Sequence, residues 1–220
     1  MNDRIIGIII HGLVLFTAFP IHECAHALTA HWLGDDTAKE QGRISLNPAK
    51  HLDPFGAVLM LIAGFGWAKP VPINPNNFKN RKVGMAVSSL AGPFSNLILA
   101  YISIILYKIA GYYSLAHGNS VVSALATVFL YSVYLNVGLA VFNLLPIPPL
   151  DGSRIFNLVL PEKMYFKIMK YERVIFGILF MLIFFGFLDR PLSFLRTKTV
   201  SFMSFISGWV DVLMLFILGS

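Results

Sequence analysis

Residues 19–31 read FPIHECAHALTAH, so two histidines and a glutamate stand inside an otherwise apolar run. On a helix turning roughly 100° per residue, His22 and His26 fall about 40° apart, on one face and one turn from each other. Glu23 lies about 60° beyond His26, beside the pair without being in line as a third ligand. Two neutral imidazoles at this spacing suit a zinc ion, and the adjacent glutamate suits proton transfer at a water next to the metal. Ionisable groups are costly in an apolar segment, so three of them together point to function.

The same helical wheel separates the neighbours from the site. Cys24 projects about 160° from His26 and reads as a small packed residue. His31 is about 180° from His22, near the helix end, and reads as an interfacial histidine. His11 shares the angle of His22 but sits roughly 16 Å away along the helix, too far to hold the same ion and at most part of a wet cavity. A catalytic zinc site takes three protein ligands and keeps a fourth position open. The candidates for the third are Asp35, Asp36, Glu40, His51, Asp53, Asp151 and Glu162. Most lie in polar stretches where a solvated charge is the default. Asp151 differs because it ends NLLPIPPLDG, directly after a long apolar run, where three prolines forbid continuous helix. Irregular backbone at membrane depth is tolerated only where it lines a cavity or is buried in protein.

The elements that must position these groups follow from composition and pattern. Of 220 residues, 56% are hydrophobic and 13% charged, and the mean hydropathy is +0.71. That is too apolar for a wetted surface, so the chain is expected to be an all-α polytopic membrane protein with about five to six transmembrane helices. The net charge of +6 belongs to short loops and not to a nucleic-acid surface, since no basic stretch is long or interleaved with aromatics. Cys24 is the only cysteine, which excludes an internal disulfide and multi-cysteine zinc motifs.

The chain is expected to form one membrane-embedded domain over residues 1–220. Its core spans are placed at 4–33, 83–109 and 121–160, with accessory spans at 173–188 and 200–218. Pro20 should kink the first span just before His22. The N-terminal charged and apolar stretch is read as a retained span, because no small-residue cleavage site follows it. The polar, Pro/Gly-rich segment 34–82 contains the short apolar run 55–66, read as a re-entrant hairpin, and RISL and PVPI, read as short interfacial β-strands. If 34–82 is cytoplasmic, that side collects 12 of the Lys and Arg residues against 5 on the other. This favours the assignment, although the expected loop 189–199 argues against it.

Gly84, Ser88, Gly92 and Asn96 recur every four residues along the 83–109 span, a small-residue stripe that lets a second helix approach closely. Asn96 and Asn143 could each donate to a developing oxyanion or bond between helices, whereas Asn136 reads more readily as interhelical.

HECAH, AGPFSN (residues 91–96) and NLLPIPPLDG, in this order, together resemble the site-2 proteases, which are intramembrane zinc metalloproteases. GRISLNPAKHLDPFG and FGWAKPVPINP are similar to the small prokaryotic branch of that family, and the likeness covers about residues 10–160. The resemblance implies His22, His26 and Asp151 as ligands of one zinc ion per chain and Glu23 as catalytic acid and base. It also implies a three-helix core. The substrates are expected to be transmembrane proteins within the lipid bilayer, because a membrane segment reaches a buried site laterally. The charged segment 34–82 and the loop bearing Lys163, Lys167 and Lys170 set the site of this plasma-membrane protein nearer the cytoplasmic face. No PDZ or CBS module is recognised. A zinc transporter would not need a glutamate beside the first histidine, and an inactive relative would normally lack one of the four residues.

Overall fold

The computed structural model describes residues 3–63, 69–156 and 158–219. Ten α-helices are described, and three of them frame the rest. Helix α1 (Asp3–Trp32) is followed, after the short α2 (Thr37–Glu40) and α3 (Pro54–Ala63), by the long α4 (Arg81–His117) and α5 (Ser120–Asn143). Asn80 caps the start of α4 by accepting from the Val83 amide. At its far end Gly118 adopts φ 63°, and its N–H returns to the Ser114 carbonyl. The next residue, Asn119, accepts from the amides of Val121 and Val122 and starts α5. A left-handed glycine stop beside an Asn start gives a tight helical hairpin. Ala100, Ile104, Val133 and Val137 close its interior. Helix α1 packs on both partners, with Ala18 against Val128, Leu135 and Leu139 of α5.

Helices α4 and α5 are long and apolar enough to cross a membrane. Beyond them come α6 (Asp151–Phe156), α7 (Glu162–Met169), α8 (Glu172–Phe184), α9 (Asp189–Ile206) and α10 (Gly208–Leu218). Helices α8 and α9, bent by 83° at their junction, make a third candidate span if taken as one.

Several expectations need correction. Residues 189–199 are helical: Asp189-Arg190-Pro191 opens α9, since proline is tolerated in a first turn whose amides have no partner anyway. The expected span 200–218 is divided at Ser207, and Lys108 of α4 serves the break. Its ammonium donates to the Ser204 and Ser207 carbonyls at 3.2 and 3.3 Å and to Asp211 at 2.6 Å. Carbonyls freed at a helix end otherwise lack donors.

Among the described residues there is no β-strand, only an isolated bridge at Leu52. Residues 43–46 and 69–73 do lie together, but Pro70 and Pro72 have no amide to give to a ladder. The Arg43 guanidinium joins them instead, donating to the Pro70 and Lys69 carbonyls at 2.9 and 2.6 Å. Helix α3 covers most of the run 55–66 read as a re-entrant hairpin, and residues 64–66 lie outside the described residues.

Segment 34–82 packs on Ala27 of α1 through Ala38 and Val71, and a carboxylate ties the segment together. Asp35 is fully buried and accepts from the Thr37 hydroxyl and amide, the Asn74 amide and the Asn77 side chain. Burial alone would raise its pKa, but these donors hold it below the usual carboxylate value. A folded-state pKa below the unfolded one stabilises the fold above about pH 4 and is lost as the pH falls through the folded value. Wild type should therefore melt at progressively lower temperature below about pH 4. Asp35→Asn should be less stable at neutral pH and show a shallower acid decline. Parallel curves for the two proteins in detergent would remove Asp35 from this role.

Candidate metal centre

Helix α1 offers two imidazoles to one point, and a folded-back turn after α5 brings the third group to them. His22 and His26 are 4% and 6% exposed, and their Nε2 atoms are 3.0 Å apart. Asp151 Oδ2 lies 3.3 Å from His22 Nε2 and 3.2 Å from His26 Nε2. A tetrahedral zinc ion with bonds of about 2.0–2.1 Å sets its ligand atoms roughly 3.3–3.4 Å from one another, so this triangle is close to that size, the edge between the histidines being the shortest.

The chemistry of the donors agrees with the distances. His26 Nδ1–H donates to the Ser88 carbonyl at 2.7 Å. In the neutral imidazole, Nε2 then carries a bare lone pair. Lone pairs converging with a carboxylate oxygen at about 3 Å repel one another unless a cation lies among them. His22, His26 and Asp151 form the one group of three metal-ligating side chains found among the described residues.

Asp151 reaches the histidines because the chain doubles back. Helix α5 ends at Asn143, and Ile147 N–H bonds to the Leu145 carbonyl while Leu150 N–H bonds to that of Ile147. The Pro148–Pro149 peptide is cis. Helix α6 then starts at Asp151 and packs on α4. Gly152 lies so close to the end of α5 that a Cβ there would overlap the carbonyls of Leu144 and Leu145. A residue with any side chain would push Asp151 away.

The small-residue stripe of α4 is buried at all four positions, and three of them touch the site. Ser88 supplies the carbonyl under His26. A Cβ added at Gly92 would stand 2.6 Å from His22 Nε2 and closer still to His26 Nε2. Asn96, fully buried, sets its amide nitrogen 3.2 Å from His22 Nδ1. The remaining member, Gly84, receives the Phe78 ring. The sequence pattern marks this stripe as a helix contact, and its neighbour proves to be the face of α1 that carries both imidazoles.

The remaining candidates lie elsewhere. Asn143 donates to the Leu139 carbonyl of its own helix at 3.0 Å, and Asn136 to Ser132, which also bonds Ser103 between α4 and α5. Asp35 serves as the tie described above. Asp36 pairs with His31, Glu40 is exposed, and Asp53 accepts from the Gly56 amide at the start of α3. The side chains of His11 and Glu162 lie outside the described residues.

Glu23 is only 9% exposed. It acts electrostatically on two buried groups of the 34–82 segment, Arg43 and His51. Burial, aided by the charge of Arg43, pushes His51 below the usual imidazole pKa, against the Ser45 carbonyl it bonds at 2.6 Å and the charge of Glu23. Arg43 and His51 were not singled out as neighbours of Glu23 by the sequence. The only signal available was Arg43 and His51 themselves, within the polar GRISLNPAKH stretch.

Residues 10–188 match the model of a protein family described as peptidase family M50. A Bacillus subtilis (strain 168) protein named "Putative zinc metalloprotease YwhC" is 45% identical over 171 residues, which make up 76% of this chain and 78% of that protein. A Mycolicibacterium smegmatis protein named "Putative zinc metalloprotease Rip2" is 31% identical over 60% of this chain and 50% of its own length. Its namesake from Mycobacterium tuberculosis (strain H37Rv) is 28% identical over the same shares. The chain thus spans about half the length of the mycobacterial relatives. No solved structure matches it significantly.

Proposed function

This chain belongs to peptidase family M50 and is a membrane-associated zinc metalloendopeptidase, and on that premise we propose that it hydrolyses peptide bonds within or beside the transmembrane segments of other membrane proteins. The observation that carries the reading is the place of the three-ligand cluster. It is buried where α1, α4 and the turn after α5 meet, against helices long and apolar enough to span a bilayer. A segment of another membrane protein would reach such a site laterally, from within the bilayer.

In this reading His22, His26 and Asp151 would hold one zinc ion, which would supply Lewis acidity to the reaction when bound. Glu23 is placed to take a proton from the attacking water and to return it to the leaving amine. Ser88, through its carbonyl, keeps the His26 ring turned towards the centre. The segment 34–82, packed on α1, covers the Glu23 side and positions Arg43 and His51 there. The chain works as a single membrane-embedded unit with five to six spans, α1 among them. Its 30 residues correspond to about 45 Å of helix. Lys39, Lys79 and Lys167 face the cytoplasm, which places the zinc nearer that surface.

The substrate class is tested by mapping new chain termini in membranes from cells carrying wild type or Glu23→Gln. Termini specific to wild type should fall within or next to membrane segments. Their confinement to soluble domains would sink the intramembrane reading while leaving the peptidase intact. Orientation is read separately: in a Cys24→Ala background, cysteines at Lys39, Lys79 and Lys167 should react with an impermeant thiol reagent only in inverted vesicles, and one at Asn119 only from outside cells. The reverse pattern would invert the topology.

A further inference from the structure

We propose that Asn96 is a positioning residue for His22, its carboxamide oxygen accepting the Nδ1–H of the ring and so keeping the Nε2 lone pair aimed at the metal. The inference rests on the reading of His22, His26 and Asp151 as zinc ligands and assigns α4 the task of setting both imidazoles.

The two rings are treated alike by the same helix. His26 gives its Nδ1 proton to the Ser88 carbonyl at 2.7 Å. Eight residues further along the same face of α4, the Asn96 amide meets Nδ1 of His22 at 3.2 Å. A neutral imidazole that ligates through Nε2 must carry its proton on Nδ1, and that proton needs an acceptor. In the structure the amide nitrogen faces the ring, while the amide oxygen is fully buried and meets no donor. An N–H facing an N–H is repulsive. The other tautomer would place the ring proton on Nε2, where it would occupy the lone pair directed at Asp151. A half-turn of the amide, which exchanges nitrogen and oxygen in nearly the same volume, resolves both conflicts. It gives Nδ1–H its acceptor and takes the oxygen away from a place no donor reaches. An Asn committed to the back of His22 in this way is not the donor for a developing oxyanion. That separates it from the oxyanion role open to it from sequence.

Replacement by Asp and by Leu decides the matter, because Asp accepts and cannot donate, whereas Leu does neither. Purified proteins in detergent would be titrated with a competing chelator, with zinc content as the readout. Asn96→Leu should bind zinc on the order of 10- to 100-fold more weakly, and Asn96→Asp should stay within a few-fold of wild type. Cobalt-substituted Asn96→Leu should also show altered ligand-field bands, and the Asp variant wild-type-like ones. Wild-type affinity in Asn96→Leu, or a loss in Asn96→Asp equal to that in Asn96→Leu, overturns the proposal. If the Leu protein does not fold, the Asp protein decides alone, since a donor role requires it to fail. His22→Ala and Asp151→Ala run in parallel: if they keep zinc, the ligand assignment itself is wrong, whereas if they lose it and Asn96→Leu does not, only the role of Asn96 falls.

Discussion

Glu23→Gln is expected to leave the protein loaded with zinc and unable to cleave its substrates, with a rate reduction on the order of 10²- to 10⁴-fold. Gln keeps the shape and the hydrogen-bonding reach of Glu but cannot accept a proton. The effect on metal should be small because the three converging ligand atoms belong to His22, His26 and Asp151, and the Glu23 carboxylate is not among them. On α1 it follows His22 by one residue, about 100° round the helix, so it stands beside the ion and not on it. Zinc content and single-turnover cleavage of a reconstituted membrane substrate are the two measurements. A mutant that cleaves at a comparable rate removes Glu23 from proton transfer, and one that loses zinc makes it a ligand.

Gly92→Ala should abolish zinc binding while leaving the helices folded. The added methyl would stand 2.6 Å from His22 Nε2 and nearer still to His26 Nε2, against the two nitrogens that face Asp151. Such separations are far inside van der Waals contact, so something has to move. The rings cannot easily withdraw, because Ser88 and Asn96 of the same helix hold their other nitrogens. The remaining escape is for α4 to back away from α1, which opens the triangle and costs about 1–3 kcal/mol as overpacking. Gly111→Ala in the same helix is the control: nothing lies within 4 Å of its Cβ, and zinc content and cleavage should be unchanged. Full zinc occupancy in Gly92→Ala would mean that the ion lies on the other side of the triangle from α4.

The sequence by itself determined those features whose physics is local. Residues four apart on a helix must share a face, so His22 and His26 were bound to point the same way once the segment was helical. Proline cannot continue a helix interior, so PIPPLDG had to break the run after α5. The stop and start at Gly118-Asn119 use equally local chemistry, although the expected span ended at 109, short of the observed end of α4 at His117. Long apolar runs fixed α4 and α5 as helices able to cross a membrane.

Other features depended on partners distant in sequence. The break at Ser207 is stable because Lys108, about a hundred residues earlier, donates to its carbonyls, and no local propensity reports such a donor. Segments 43–46 and 69–73 have strand-like composition, yet two prolines and an arginine side chain replaced the ladder. The stripe on α4 was legible as a close-packing surface. That its neighbour is the histidine face of α1, with Ser88 behind one ring, Asn96 behind the other and Gly92 clearing the space between, is a matter of which helices meet and in what register. Tertiary structure also decided which of the seven candidate third ligands stands with the histidines. A carboxylate's reach is a few ångströms, and only the fold-back held by Gly152 against the end of α5 carries Asp151 across that gap.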